Sequence, residues 1–245
     1  MLDYVILGII QGIFEWIPIS SQGIVAIASQ FLIKEVHPLE IALFLHLGTL
    51  FAVLIYFRKE WVEVFTFKNT ALLRFLVVSA AISGIVGFAL YVLIKNIAIG
   101  STLLVITGFG LLLTAYFHKV KRMPGINLNK LAVITGILQG LAVIPGLSRS
   151  GATIFGLSLG KLNPEEILKI SYMMSAPAVL GMTGFLFFKN PVLISESWPA
   201  LIFSFLAGFL TLDFLLKVAN KIDFFKFALI FAFLCFLGAG LGLLI

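Results

Sequence analysis

Two long apolar stretches, residues 4–33 and 131–160, are each interrupted halfway by a short polar turn. The first turn reads Ile17-Pro-Ile-Ser-Ser-Gln-Gly23 and the second Ile144-Pro-Gly-Leu-Ser-Arg-Ser-Gly151. Proline and glycine at that density divide a helix in two. Inside a bilayer, broken backbone survives only where protein or a polar cavity satisfies its N–H and C=O groups. Both stretches therefore predict re-entrant hairpins of two half-helices each, packed inside a larger helical assembly. The rest of the chain supplies that assembly. Of its 245 residues 61% are hydrophobic and only 11% charged, against about 25% charged in a soluble domain. That balance excludes a soluble enzyme and a disordered chain, and the lone Cys235 excludes an intramolecular disulfide or a thiolate metal cage.

Apolar runs of about 17–25 residues are long enough to cross a bilayer core as helices. Six qualify, at 39–57, 72–94, 101–117, 168–188, 199–217 and 225–245. The N-terminus, Met-Leu-Asp-Tyr, has no basic leader region, so no signal peptide is expected. The fold class read from the sequence is an all-α integral membrane protein. It has six full transmembrane helices and two re-entrant hairpins, in a single membrane domain spanning 1–245.

The two hairpins also resemble each other. Gly8, Ile9, Gln11, Gly12, Ser20 and Gly23 fall on Gly136, Ile137, Gln139, Gly140, Ser148 and Gly151 at a constant offset of 128 residues. Nearly half a chain length is the offset expected of an internal duplication. Halves 1–122 and 129–245 would each hold one hairpin and three spans. An odd number of spans places the second half upside down, giving an inverted-topology repeat.

Basic residues orient the chain. Thirteen of the 17 Lys and Arg fall on the side opposite the N-terminus, only Lys34, Lys95 and Lys189 on the N-terminal side, and Arg149 within the second hairpin. Under the positive-inside rule the richer side is cytoplasmic and both termini lie outside. The net charge of +6 therefore reports topology in a plasma membrane and is no sign of a nucleic-acid partner.

Ionisable side chains at membrane depth point to function, and Glu15, His46, Arg149 and Asp213 qualify. Asp213 precedes Lys217 by four residues, the spacing of an interfacial helix ion pair. Glu15 follows Gln11 by one helical turn, so both share a face, and Arg149 is the cation placed to match Glu15. Ser148 or Arg149 would open a half-helix, with Ser20 and Ser21 at the matching place in the first hairpin. Helix starts with free N–H groups, hydroxyls and a guanidinium make an anion site suited to phosphate or diphosphate. The same serines would also serve as plain helix caps, and Gln11 and Gln139 as partners for broken backbone. His46, halfway along its span, is either an acid or base or a neutral cross-helix donor. His37 and His118 fall in loops, and Trp61 and Trp198 read as interfacial anchors.

Gln11-x-x-x-Glu15, Pro18-Ile-Ser-Ser-Gln-Gly23 and Pro145-Gly-x-Ser-Arg-Ser-Gly-Ala-Thr153 together resemble the undecaprenyl-diphosphatase, or bacitracin-resistance, family. The resemblance implies hydrolysis of a polyprenyl diphosphate to the monophosphate and inorganic phosphate at an outward-opening site, recycling a lipid carrier. It implies a divalent cation, Mg²⁺ or Ca²⁺, held with the diphosphate by Glu15 and Gln11. Ser21 would be the nucleophile or a donor to the phosphate. Arg149, Ser148, Ser150, Thr153, Ser20 and Gln139 would bind the substrate. Where the family carries a catalytic histidine this chain has Ile24, which leaves His46 as the possible base. The competing reading is a transporter or flippase for a lipid phosphate or other anion, suggested by the inverted repeat. A non-catalytic scaffold is the third, disfavoured by the intramembrane Glu15 and Arg149.

Overall fold

In a computed structural model, which describes residues 2–33, 38–93, 100–119, 126–144, 147–189 and 192–242, the chain is helical throughout its regular elements. Lys34, His37, Lys95, Lys121, Arg122, Pro145 and Gly146, which figure in the sequence reading, lie outside the described residues. Each broken apolar stretch is two short helices. The first comprises α1 (Leu2–Phe14) and α2 (Ser21–Leu32), the second α7 (Leu128–Leu141) and α8 (Arg149–Ser158). Ser20 caps α2 by accepting from the Gly23 N–H at 3.3 Å, and Ser148 caps α8 by accepting from the Gly151 N–H at 3.2 Å. The expected helix restart after each turn is therefore present, with a serine oxygen replacing a missing intrahelical acceptor.

The remaining elements are α3 (Pro38–Tyr56), α4 (Arg58–Phe65), α5 (Thr70–Leu93), α6 (Gly100–Lys119), α9 (Pro164–Lys189), α10 (Val192–Ala219) and α11 (Phe224–Gly242). Among the described residues three helices are long and apolar enough to cross a membrane, Thr70–Leu90, Trp198–Ala219 and Phe224–Leu241. A fourth apolar segment, Ile41–Tyr56, bends by 78° into Arg58–Phe65. The sequence reading missed that bend, treating the chain after residue 57 as a loop. Arg58, Lys59, Glu60 and Glu63 are charges that the apolar interior would not accept, so the helix turns along the edge of the bundle instead. Trp61, expected as a surface anchor, is buried on this helix and stacks on Phe65 at 5.8 Å, whereas Trp198 is exposed. The turn from α10 to α11 is closed by Asp223, whose carboxylate accepts from the Lys226 N–H at 2.8 Å. That bond holds the Asp223 carboxyl below its ordinary pKa.

Large apolar side chains project outward at helical spacing: Leu206, Leu210 and Phe214 on α10, and Ile230, Phe233 and Leu237 on α11. Stripes of that kind are stable against lipid and not against water. The chain is a multi-pass membrane protein. Inside, one apolar cluster around Trp16, Tyr172, Met173 and Phe227 fills the centre. A second, around Leu7, Ile41, Phe44 and Ala200, joins α1, α3 and α10.

Glycines set how closely the hairpins approach their neighbours. α1 lies against α10 and α7 against α5. A Cβ at Gly12 would sit 2.5 Å from the Gly208 nitrogen, and one at Gly136 would sit 2.8 Å from the Ser79 carbonyl oxygen. Backbone-to-backbone contact of this sort maximises dispersion between helices in lipid, where no hydrophobic force drives them together. Gly181 on α9, by contrast, has nothing within 4 Å of its added Cβ. Gly12→Val is expected to lower stability by about 1–3 kcal/mol through overpacking. Gly181→Ala is expected to leave it unchanged or raise it by about 0.5–1 kcal/mol. Thermal unfolding of the two variants in one detergent checks the contrast.

Candidate active site

The local order of α1 delivers the central group. Glu15 directly follows the last helical residue and its N–H still bonds the Gln11 carbonyl at 3.0 Å. Its side chain thus emerges where the helix gives way to the turn. The residue is 4% exposed, and four side chains donate to its carboxylate. Arg149 Nη2 meets Oε1 at 2.5 Å. Oε2 takes Gln11 Nε2 at 2.7 Å, Ser21 Oγ at 3.0 Å and His46 Nε2 at 3.2 Å. The donors come from α1, the start of α2, α3 and the start of α8. The expected Glu15–Arg149 pairing is thus realised across 134 residues of sequence.

Two of the donors are themselves held. His46 Nδ1 lies 2.7 Å from the Ala42 carbonyl oxygen, one turn back on α3. Its two ring nitrogens thus lie between that carbonyl and the Glu15 carboxylate. Arg149 Nη1 donates to the Ser171 carbonyl on α9 at 3.4 Å. Ser150 donates to the Ile17 carbonyl at 2.9 Å, fastening the start of α8 to the first turn. With that proton committed, Ser148 supplies the hydrogen of the 3.0 Å Ser148–Ser150 contact. The turn is anchored from behind by Trp16 Nε1 to the Gly208 carbonyl at 2.8 Å, and by the Tyr172 hydroxyl to the Trp16 carbonyl at 3.3 Å.

These groups surround a cleft of about 40 Å³ lined by Glu15, Ser20, Ser21, Gln22, His46, Ala142, Leu147, Ser148, Arg149 and Ser150. Two helices begin at it, and the first N–H groups of a helix have no intrahelical acceptor. Gly23 and Gly151 N–H are taken by the capping serines, leaving those of Ser21, Gln22, Arg149 and Ser150 to meet a ligand. The Arg149 guanidinium offsets the Glu15 carboxylate, and the free N–H groups of two helix starts lie beside the pair. The cleft's chemistry is that of an oxyanion receptor with a serine hydroxyl beside a carboxylate.

Not every candidate joins it. Thr153 is fully buried and faces α9, where its Oγ1 lies 2.6 Å from Ser171 Oγ. It braces the helix carrying Arg149 and stands outside the cleft. Gln139 donates to Ser83 Oγ on α5 at 3.1 Å, also away from the cleft, with its Oε1 buried and unpartnered. Gln11 backs Glu15 from below. Ile24 lies in the first turn of α2 and brings no polar group. Asp213 is bonded to Lys217 at 2.6 Å, as the spacing predicts, and also accepts from the Tyr56 hydroxyl at 3.0 Å. Ser171 and Tyr172 escaped the sequence reading; two adjacent polar residues within an apolar span were the only signal.

The divalent cation implied by the resemblance fits poorly on Glu15 and Gln11. Both Glu15 oxygens are already engaged, and the partner on Oε1 is the Arg149 guanidinium. Gln11 turns its amide nitrogen toward Glu15, so the oxygen that would ligate a metal points away, buried and unpartnered. No group of three or more His, Cys, Asp or Glu that could hold a metal gathers among the described residues.

Residues 4–238 match the family model of the bacitracin resistance protein BacA. A relative from Methanococcoides burtonii named undecaprenyl-diphosphatase is 34% identical over 93% of this chain and 94% of its own. Relatives of the same name from Sulfurisphaera tokodaii and Haloarcula marismortui are 34% and 31% identical, over 90% and 100% of this chain and 90% and 98% of theirs.

Removing Glu15 strands a largely buried guanidinium, 16% exposed. Glu15→Ala is expected to cost about 3–5 kcal/mol of stability. A Glu15→Leu/Arg149→Met double variant recovers most of that loss, since an apolar pair replaces the ion pair. Denaturant unfolding of the three proteins in one detergent checks the ordering.

Proposed function

The chain belongs to the bacitracin resistance protein BacA family, and from that membership we propose that it hydrolyses a polyprenyl diphosphate such as undecaprenyl diphosphate. The products are the lipid monophosphate and inorganic phosphate, and the reaction returns a lipid carrier to use. The observation that carries the reading is the Ser21 hydroxyl, donating to Glu15 at 3.0 Å in a cleft where two helices begin and Arg149 lies alongside.

The chemistry follows from that placement. Phosphoryl transfer needs little covalent work from a protein, and positioning with charge stabilisation does most of it. The terminal phosphate sits against the N–H groups at the starts of α2 and α8, with the Arg149 guanidinium on its oxygens. Ser21 Oγ attacks the terminal phosphorus. A new O–P bond forms as the bridging P–O bond breaks, its electron pair leaving with the lipid monophosphate. The serine proton passes to the Glu15 carboxylate. Water then attacks the serine-bound phosphorus, the Ser21 O–P bond breaks, and inorganic phosphate departs. Glu15 takes the proton of the attacking water as its earlier proton returns to Ser21 Oγ, and then releases the water-derived proton to solvent, which restores the carboxylate. Arg149 and the backbone N–H groups stabilise the charge that develops on the transferred oxygens. Removing one such donor costs about 10²–10³ in rate.

The finer membrane arrangement belongs to the same proposal. Six spans and two re-entrant hairpins form an inverted repeat in the plasma membrane, with both termini outside and the basic loops cytoplasmic. The support is the charge bias together with reciprocal packing: α1 lies on α10, and its counterpart α7 lies on α5, the counterpart of α10. That reciprocity also suits a transporter, so the assay must separate the two.

Purified protein with farnesyl diphosphate should release phosphate. Ser21→Ala should lower kcat by at least about 10³-fold, and Arg149→Lys by about 10²-fold. Movement of labelled lipid phosphate across liposomes without phosphate release would replace the hydrolase by a flippase. For topology, single cysteines at Lys130 and Lys161 in a Cys235→Ala background should react with an impermeant maleimide only from the cytoplasmic side. Labelling from outside would invert the orientation.

A further inference from the structure

The poor fit between Glu15 and a resident metal leads to a statement about what enters the cleft. We propose that the substrate-free protein holds no divalent cation at Glu15, and that such an ion enters the cleft only as the chelate of a diphosphate. The inference rests on the hydrolase reading for the diphosphate alone.

Three observations carry it. Glu15 takes one donor on Oε1 and three on Oε2, so a metal would have to sit directly beside Arg149 on Oε1 or displace one of Gln11, Ser21 and His46 from Oε2. Arg149 is charged at every accessible pH and sits 2.5 Å from the carboxylate, where a bare divalent ion would meet direct repulsion. Gln11 has the wrong end of its amide forward, because with Nε2 on Glu15 its Oε1 points away. Mg²⁺ prefers one or two carboxylates together with substrate phosphate oxygens and keeps several waters. Among the described residues Glu15 is the only carboxylate lining the cleft and is already paired with Arg149, so the oxygens of the diphosphate must supply the ligands. Arg149 and the N–H groups at the two helix starts then receive a chelate that is still anionic.

The sequence also indicates how the preference would reverse. Gln11→Glu sets a second carboxylate where the amide nitrogen now lies 2.7 Å from Glu15. Two carboxylates at that separation repel each other unless a cation or a proton joins them.

Mn²⁺ binding, followed by the loss of the free-ion paramagnetic resonance signal, tests this without turnover. Substrate-free protein in detergent should show no stoichiometric uptake. Addition of methylenebisphosphonate, a non-hydrolysable diphosphate analogue, should bring one Mn²⁺ per chain. Gln11→Glu should bind Mn²⁺ without the analogue, at least about tenfold tighter than the unsubstituted protein. Stoichiometric uptake by the substrate-free protein that Glu15→Gln abolishes would overturn the proposal. So would no uptake with the analogue bound, or no gain in Gln11→Glu. A protein that passes these tests yet releases no phosphate from farnesyl diphosphate fails the hydrolase reading and not this one.

Discussion

One buried carboxylate holds the centre of this protein together. Glu15 receives a guanidinium, an imidazole N–H, a serine hydroxyl and an amide N–H from four different helical elements. An ionised carboxylate taken out of water costs several kcal/mol unless paired and hydrogen-bonded, so the position of each donor is constrained by the others. The two hairpins are fastened to each other through Arg149 on Glu15 and Ser150 on the Ile17 carbonyl. A hydrophobic pair would fasten them as well or better. What the ion pair adds is chemistry: it keeps a carboxylate ionised beside Ser21 in an otherwise apolar interior.

The packing around this centre serves the same end. Hairpins whose backbones touch α10 and α5 at glycine can carry polar turns deep into the bundle without leaving voids. The turns bring in helix N-termini, and those give the cleft fixed N–H dipoles that need no reorganisation when charge develops on a phosphate. Trp16 and Tyr172 anchor the first turn, each bonding a backbone carbonyl while filling the apolar centre. Two further ion pairs, Glu60 with Lys169 and Asp213 with Lys217, gather at the C-terminal end of α3 and leave Glu15 to its own partners.

Much of this was legible in the sequence for physical reasons. Helix breaks announce themselves through Pro, Gly and Ser, and both hairpins fall where those residues interrupt an apolar run. Serine caps and the Asp213–Lys217 pair are local, so spacing alone predicts them. Contacts between elements are harder. His46 reaches Glu15 because α3 packs on the first hairpin, and nothing in the residues between them encodes that approach. The 78° bend after Tyr56 hides inside a charge run that reads equally well as a loop. Thr153 and Gln139 carry the right chemistry in the right motifs, yet side-chain direction turned them toward α9 and α5. Motif membership places a residue near a site, and only the packing decides whether it faces in.

The central claim is that Ser21, activated by Glu15, takes the phosphoryl group before water does. Two displacements at one phosphorus restore its configuration, and a single displacement by water inverts it. The direct measurement is the stereochemical course of hydrolysis of a prenyl diphosphate whose terminal phosphorus is an isotopically chiral phosphorothioate. The account predicts net retention in the released phosphorothioate. Net inversion would contradict it and leave Ser21 as a binding group alone.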